Sequence, residues 1–228
     1  LHKSNIYDTF ANITNKLIIK IMGLNQGGSS SRTYLSISDG KIAKRVEEGS
    51  AGAIKCTSKD GSRTWYEQRF SSVSGKITDV FKRDSDKGYG SQLCIVLDDK
   101  GEEFQVQMPW SSRYSSGFFV CMPNIDPSKV ITLSPWMKEI DGTKKTMLYL
   151  KQDGQDNVDW AWTRDNPGNM PDMKQIKVKG QTVWDDTERQ EFFESYLNDM
   201  FLPKIKGASA IEKLDSLADD QEDTGLPF

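Results

Sequence analysis

A chain of 228 residues, 36% hydrophobic and 10% aromatic, is long enough to bury a core of its own as one domain with extensions. Its three cysteines, Cys56, Cys94 and Cys121, are odd in number and lack framework spacing, which points to a reducing, cytoplasmic compartment and away from secretion. The formal charge of -3 is unevenly spread: from Ser209 onward six acids face Lys213 alone, a net of -5 that leaves about +2 on the rest.

No stretch reaches the ~20 apolar residues that span a bilayer. Leu1 to Ile21 holds only the short apolar run Leu17-Ile18-Ile19 and no small-residue cleavage site, so it does not read as a signal peptide. Met22 opens a Gly/Ser/Asn-rich stretch and is the expected natural start. Residues 1–31 are read as a partly flexible extension.

Two Asp-Gly pairs flanked by alternating residues predict hairpins. Asp39-Gly40 joins Tyr34–Ser38 to Lys41–Val46, and the stretch around Asp60-Gly61 joins Ala53–Thr57 to Thr64–Phe70. Gly75–Arg83 then reads as a strand with a charged loop behind it. Leu93–Leu97 is a short apolar run, and Phe104–Met108 alternates strictly, with Phe104, Val106 and Met108 inward and Gln105 and Gln107 outward. Ser111–Met122 lacks strand alternation and spaces Tyr114, Phe118 and Phe119 as a helix does. Lys129–Leu133 and Thr146–Leu150 are two further strands, separated by Asp141-Gly142. Three strands, a helix and two strands is the order of an oligonucleotide-binding (OB) barrel; a sandwich is the alternative.

Val158–Trp162 and Ile176–Val183 are expected to form an added hairpin. Asp185 and Glu188 have capping-box spacing ahead of a helix with Phe192, Phe193, Tyr196, Leu197, Met200 and Phe201 along one core-facing stripe, ended by Pro203. The chain therefore reads as mainly β: an OB-like five-stranded barrel with additional hairpins and a C-terminal helix over residues 32–206, followed by a disordered acidic tail over 207–228.

Enzyme chemistry has little to stand on. The one histidine, His2, lies in the N-terminal extension, which leaves no histidine-based triad. The cysteines are scattered without histidine partners, and no phosphate-cradling Gly-Lys-Ser/Thr loop is present. Asp84/Asp86, Asp98-Asp99 and Asp185-Asp186 serve turns and helix caps more economically than metals. No catalytic residue, metal or cofactor is expected.

A single-strand binder needs cations for phosphates and flat rings on which bases stack. Here the two are interleaved. Trp65 and Tyr66 lie near Arg63 and Arg69, Phe81 precedes Lys82-Arg83, Tyr89 follows Lys87, Trp110 is close to Arg113, and Tyr149 follows Lys144-Lys145. Trp136 with Lys138, and Trp160 and Trp162 ahead of Arg164, repeat the pattern. With Leu148 and Leu150 inward, Tyr149 faces out beside Lys151.

The last ten residues are Asp219-Asp220-Gln221-Glu222-Asp223-Thr224-Gly225-Leu226-Pro227-Phe228. This ending resembles that of the bacterial single-stranded DNA-binding proteins, which close with aspartates and an Ile-Pro-Phe tip, and that of phage replication counterparts ending in acids and Phe. Leu226 replaces the isoleucine, and Thr224-Gly225 interrupts the acids. The resemblance covers the tail; over the body it extends to layout only, as in a divergent phage-type member. It implies single-stranded DNA as ligand, replication and recombination proteins bound through Asp219, Asp220, Glu222, Asp223, Leu226, Pro227 and Phe228, and a host-cytoplasm location. Homo-oligomers occur in that family. The alternative is a β-rich phage structural or assembly protein with a solubilising tail.

Overall fold

The computed structural model describes residues 32–84, 90–154, 157–178 and 180–219. The fold is mainly β, a nine-stranded sheet curled into a half-barrel, with a C-terminal helix. Its strands are β1 (Thr33–Ser38), β2 (Lys41–Val46), β3 (Ile54–Thr57), β4 (Thr64–Phe70), β5 (Val73–Arg83), β6 (Gln92–Asp99), β7 (Glu102–Pro109), β8 (Val130–Ile140) and β9 (Thr143–Gln152). They lie side by side as β3-β4-β2-β1-β7-β6-β5-β8-β9.

The turns follow from residue type. Asp39-Gly40 and Asp141-Gly142 hold positive φ at both positions (48° and 72°; 50° and 69°), the twist that joins antiparallel strands through two residues. β5, β6 and β7 form an antiparallel meander; helix α1 (Arg113–Phe119) follows, β8 returns to pair with β5, and β9 pairs with β8. This is the strand–helix–strand order expected from the sequence. The second edge of β7 is taken by β1, in parallel register, so the two N-terminal hairpins extend the same sheet.

Leu93, Ile95 and Leu97 of β6 and Leu148 and Leu150 of β9 share one buried cluster with Phe118 and Phe119 of α1. Ser112 caps α1 by accepting from Ser115 N at 3.1 Å, and Gly117 lets the helix approach β9 closely. A Cβ there would lie 2.9 Å from the carbonyl oxygen of Leu148.

Several expectations are corrected. Residues 158–162 are not a strand: Trp162 is buried against Phe192 and Tyr196, with ring centroids at 5.0 and 4.9 Å. Ile176–Val183 instead folds upon itself as β10 (Lys174–Val178) and β11 (Gln181–Asp185), turning at Gly180 with φ +80°. The following helix, α2 (Thr187–Tyr196), has no capping box. Asp185 accepts from Thr187 N at 3.0 Å, while Glu188 pairs with Lys174.

Pro203 does not end the helix. A π-turn over Leu197–Phe201 shifts the hydrogen bonds to five-residue spacing, with Leu202 N–H donating to Leu197, before α3 (Leu202–Asp219) begins. The missing N–H of Pro203 falls in that first turn of α3, where its loss costs least. Regular helix thus continues through residues expected in the disordered tail. Of the tail, Asp219 closes α3, and Asp220, Glu222, Asp223, Leu226, Pro227 and Phe228 lie outside the described residues.

Candidate nucleic-acid interface

β8 and β9 are a long antiparallel pair, and strand alternation divides their side chains. Leu133, Pro135, Leu148 and Leu150 are buried, whereas Thr132, Ser134, Trp136 and Lys138 lie on the other face with Lys145, Met147, Tyr149 and Lys151. On that face Trp136 sits opposite Met147 and diagonal to Tyr149; the rings are 39% and 37% exposed. Lys138 stands directly opposite Lys145. These eight positions carry three lysines and no acid. Like charges directly opposite one another destabilise a strand pair, so an anion laid along this face relieves a repulsion that the fold leaves in place.

Other expected residues lie spread along the face of β5, β6, β7, β1, β2 and β4 opposite the core. One cross-strand row there runs Phe81, Cys94, Gln107, Ser36, Ala43, Arg69. Arg83 donates to Gln107 Oε1 at 2.9 Å, and the guanidinium of Arg45 lies 5.3 Å from the Trp65 ring centroid. Trp65 and Arg69 donate to the carboxylate of Glu67 at 3.0 and 2.7 Å. Burial pushes the Glu67 carboxyl up, but these donors outweigh it and hold it below its ordinary value. Much of the charge of Arg69 is therefore answered within the fold.

The other expected contact residues scatter. Tyr66 points to the opposite face of β4 and donates to Glu48. Trp110 is corrected to a core residue, 5% exposed, with its ring centroid 4.7 Å from that of Phe119, so no base can stack on it. Lys82 lies over Trp110 and bonds Glu194 of α2 at 2.7 Å; it ties the helix to the sheet. Arg113 opens on a groove beside α1. Tyr89 lies outside the described residues. Gln105 shares the outer face of β7 with Gln107 but is covered there: it is 3% exposed, with its amide oxygen accepting from Arg32 at 3.2 Å. The structure thus gathers Lys145 and Tyr149 in one place and Trp65 and Arg69 in another, while Arg83 shares the face of the second pair but lies on β5, five strands along the sheet. Trp136, Lys138 and Lys151 complete the first group. The sequence names all three, and the register of β8 beyond Leu133 is what sets Trp136 and Lys138 on the face of Tyr149 and Lys145.

Lys144 is engaged elsewhere. Its ammonium donates to Asp39 Oδ1 at 3.0 Å, and Arg69 lies 3.7 Å from the same carboxylate, so the β1–β2 turn is held to β9 and β4 at once. The Lys144 hydrogen bond is the main reason the Asp39 carboxyl lies below the ordinary 3.8. A depressed carboxyl stabilises the fold above its unfolded value, and the contribution disappears as pH falls through the lower folded value. Asp39→Asn, which tolerates the positive φ, is expected to remove that part of the acid sensitivity. With both partners largely exposed, it costs no more than about 1 kcal/mol at neutral pH. Thermal melts of the two proteins across the acid range measure this.

Among the described residues there is no group of three or more histidine, cysteine or carboxylate side chains placed to hold a metal, and no helix long and apolar enough to cross a membrane. Neither a family model, nor a curated protein, nor a solved structure matches the chain.

Proposed function

We propose that this protein binds single-stranded DNA without sequence preference and protects it during replication or recombination. The observation that carries this reading is the β8–β9 face, where Lys138 and Lys145 oppose one another without an acid and Trp136 and Tyr149 stand exposed beside them. Phosphates neutralise such lysines and bases stack on such rings, whatever their sequence. The curled sheet, with its OB-like strand order, supports the same reading. The acidic segment that includes Leu226-Pro227-Phe228 recruits replication or recombination proteins in this scheme, its Phe ring suiting an apolar pocket and its acids a rim of cations.

Titration with poly-dT tests the proposal through tryptophan fluorescence. The expected result is quenching, with an affinity that falls steeply as salt rises. Protein lacking residues 219–228 should bind equally or more tightly, because its acids compete with phosphate for the same cations. No quenching and no retention of labelled strand at low salt would remove DNA binding from consideration.

A further inference from the structure

A groove of about 870 Å³ lies between α1, β9, residues 160–173 and the start of α2. Met147 forms part of its wall and stands opposite Trp136 across the ladder, so the groove adjoins the basic ribbon face. Three tryptophans line it. Trp162 is fixed in the core, but Trp160 and Trp184 are 46% and 58% exposed, leaving ring faces open to the groove or its mouth.

Its polar groups are incompletely used. Arg113 and Arg164 line the groove and make no hydrogen bond or ion pair among the described residues. Gln190 donates its amide nitrogen to Asp186 at 2.8 Å, but its Oε1 is buried and accepts from nothing there. A buried acceptor left unsatisfied is costly, and ordinarily marks a missing partner. Asp172 is the second acid of the lining; the three arginines, with Arg189, exceed the two acids by one charge.

A nucleotide supplies what each of these groups lacks: a flat base for an exposed ring, a phosphate for the guanidinium groups, and a base N–H for Gln190 Oε1. A fatty chain would satisfy the rings alone. We infer that this groove holds one nucleotide of the bound strand, its base against Trp160 or Trp184 and its phosphate on Arg113 and Arg164. The inference rests on the strand-binding reading above and extends the strand's path from the ribbon face past Met147.

The test uses the full chain and an oligo-dT carrying iododeoxyuridine. Ultraviolet cross-linking and peptide mapping should find Trp160 or Trp184 among the attachment sites. Trp160→Ala with Trp184→Ala should weaken the oligonucleotide about tenfold while leaving the melting temperature near the parent's, since both rings are largely outside the core. Arg113→Glu with Arg164→Glu, also at exposed positions, should do the same and flatten the salt dependence. If both double variants bind as the parent does and cross-links fall only on the ribbon face, the groove assignment is wrong and strand binding stands. If the parent binds no oligonucleotide, the functional reading fails and the groove assignment with it. Free dTMP or dAMP bound at the groove without any oligonucleotide binding would overturn the strand assignment. So would a peptide of residues 219–228 that binds the groove while oligonucleotide leaves it untouched.

Discussion

Lys138→Glu with Lys145→Glu is expected to weaken single-stranded DNA binding by at least about tenfold and to lower the slope of log affinity against log salt by about 1.4, or about 0.7 for each phosphate no longer neutralised. The two lysines are a direct cross-strand pair among eight ribbon positions that carry no carboxylate. On the strand-binding reading, the charges serve the ligand at the expense of the strand pair. That cost gives the prediction a second arm. Lys138→Glu alone puts opposite charges opposite one another, which should stabilise the hairpin by roughly 0.2–1 kcal/mol even as binding weakens. A solubilising pair of lysines would show no change in affinity on substitution. Filter binding or fluorescence titration at several salt concentrations reads the first effect, and thermal melts the second. Trp136→Ala should act on affinity by about 1–3 kcal/mol with little effect on the salt slope, because a ring contributes stacking and releases no counterions. Unchanged affinity and slope in the double variant would move the interface off the ribbon.

What the sequence disclosed is local. Asp-Gly pairs announce their turns because positive φ at both residues is costly for most side chains, and alternation around Tyr149 places that ring outside as soon as Leu148 and Leu150 are recognised as core. The order of strands and helix is legible for the same reason. What stayed hidden depends on partners far along the chain. Lys82 is 112 residues from Glu194, and nothing near it announces that its charge is answered. Trp110 beside Arg113 looks like a stacking pair, yet the aromatic cluster around Phe119 takes the indole into the core. The parallel pairing of β1 with β7 joins segments about 70 residues apart and leaves no mark in local periodicity. Trp160 and Arg164 were visible as an aromatic-basic run, but the groove they enter is assembled from α1, β9 and α2 as well.

Phe193→Ala should be far more damaging to the fold than Met200→Ala, although an unbroken α-helix would set the two side chains on the same stripe. Phe193 is 1% exposed, its ring stacked on Phe119 at 4.9 Å and 6.0 Å from Trp162, so it joins α2 to α1 and to the segment beneath. Truncation removes apolar surface from the core and leaves a cavity bounded by rings that cannot easily collapse, a loss of about 3–5 kcal/mol. For a chain of this size, that corresponds to a fall in melting temperature of about 6–20 °C. Met200 is 59% exposed, and its truncation should cost no more than about 0.5 kcal/mol. The difference comes from the π-turn: its wider turn advances less around the axis per residue, so Phe201, rather than Met200, returns to the buried stripe, followed by Ile205. Equal losses at 193 and 200 would mean that the helix continues without that turn. A large loss at 193 alone, with strand binding retained below the transition, would separate the residues that hold this scaffold together from those that use it.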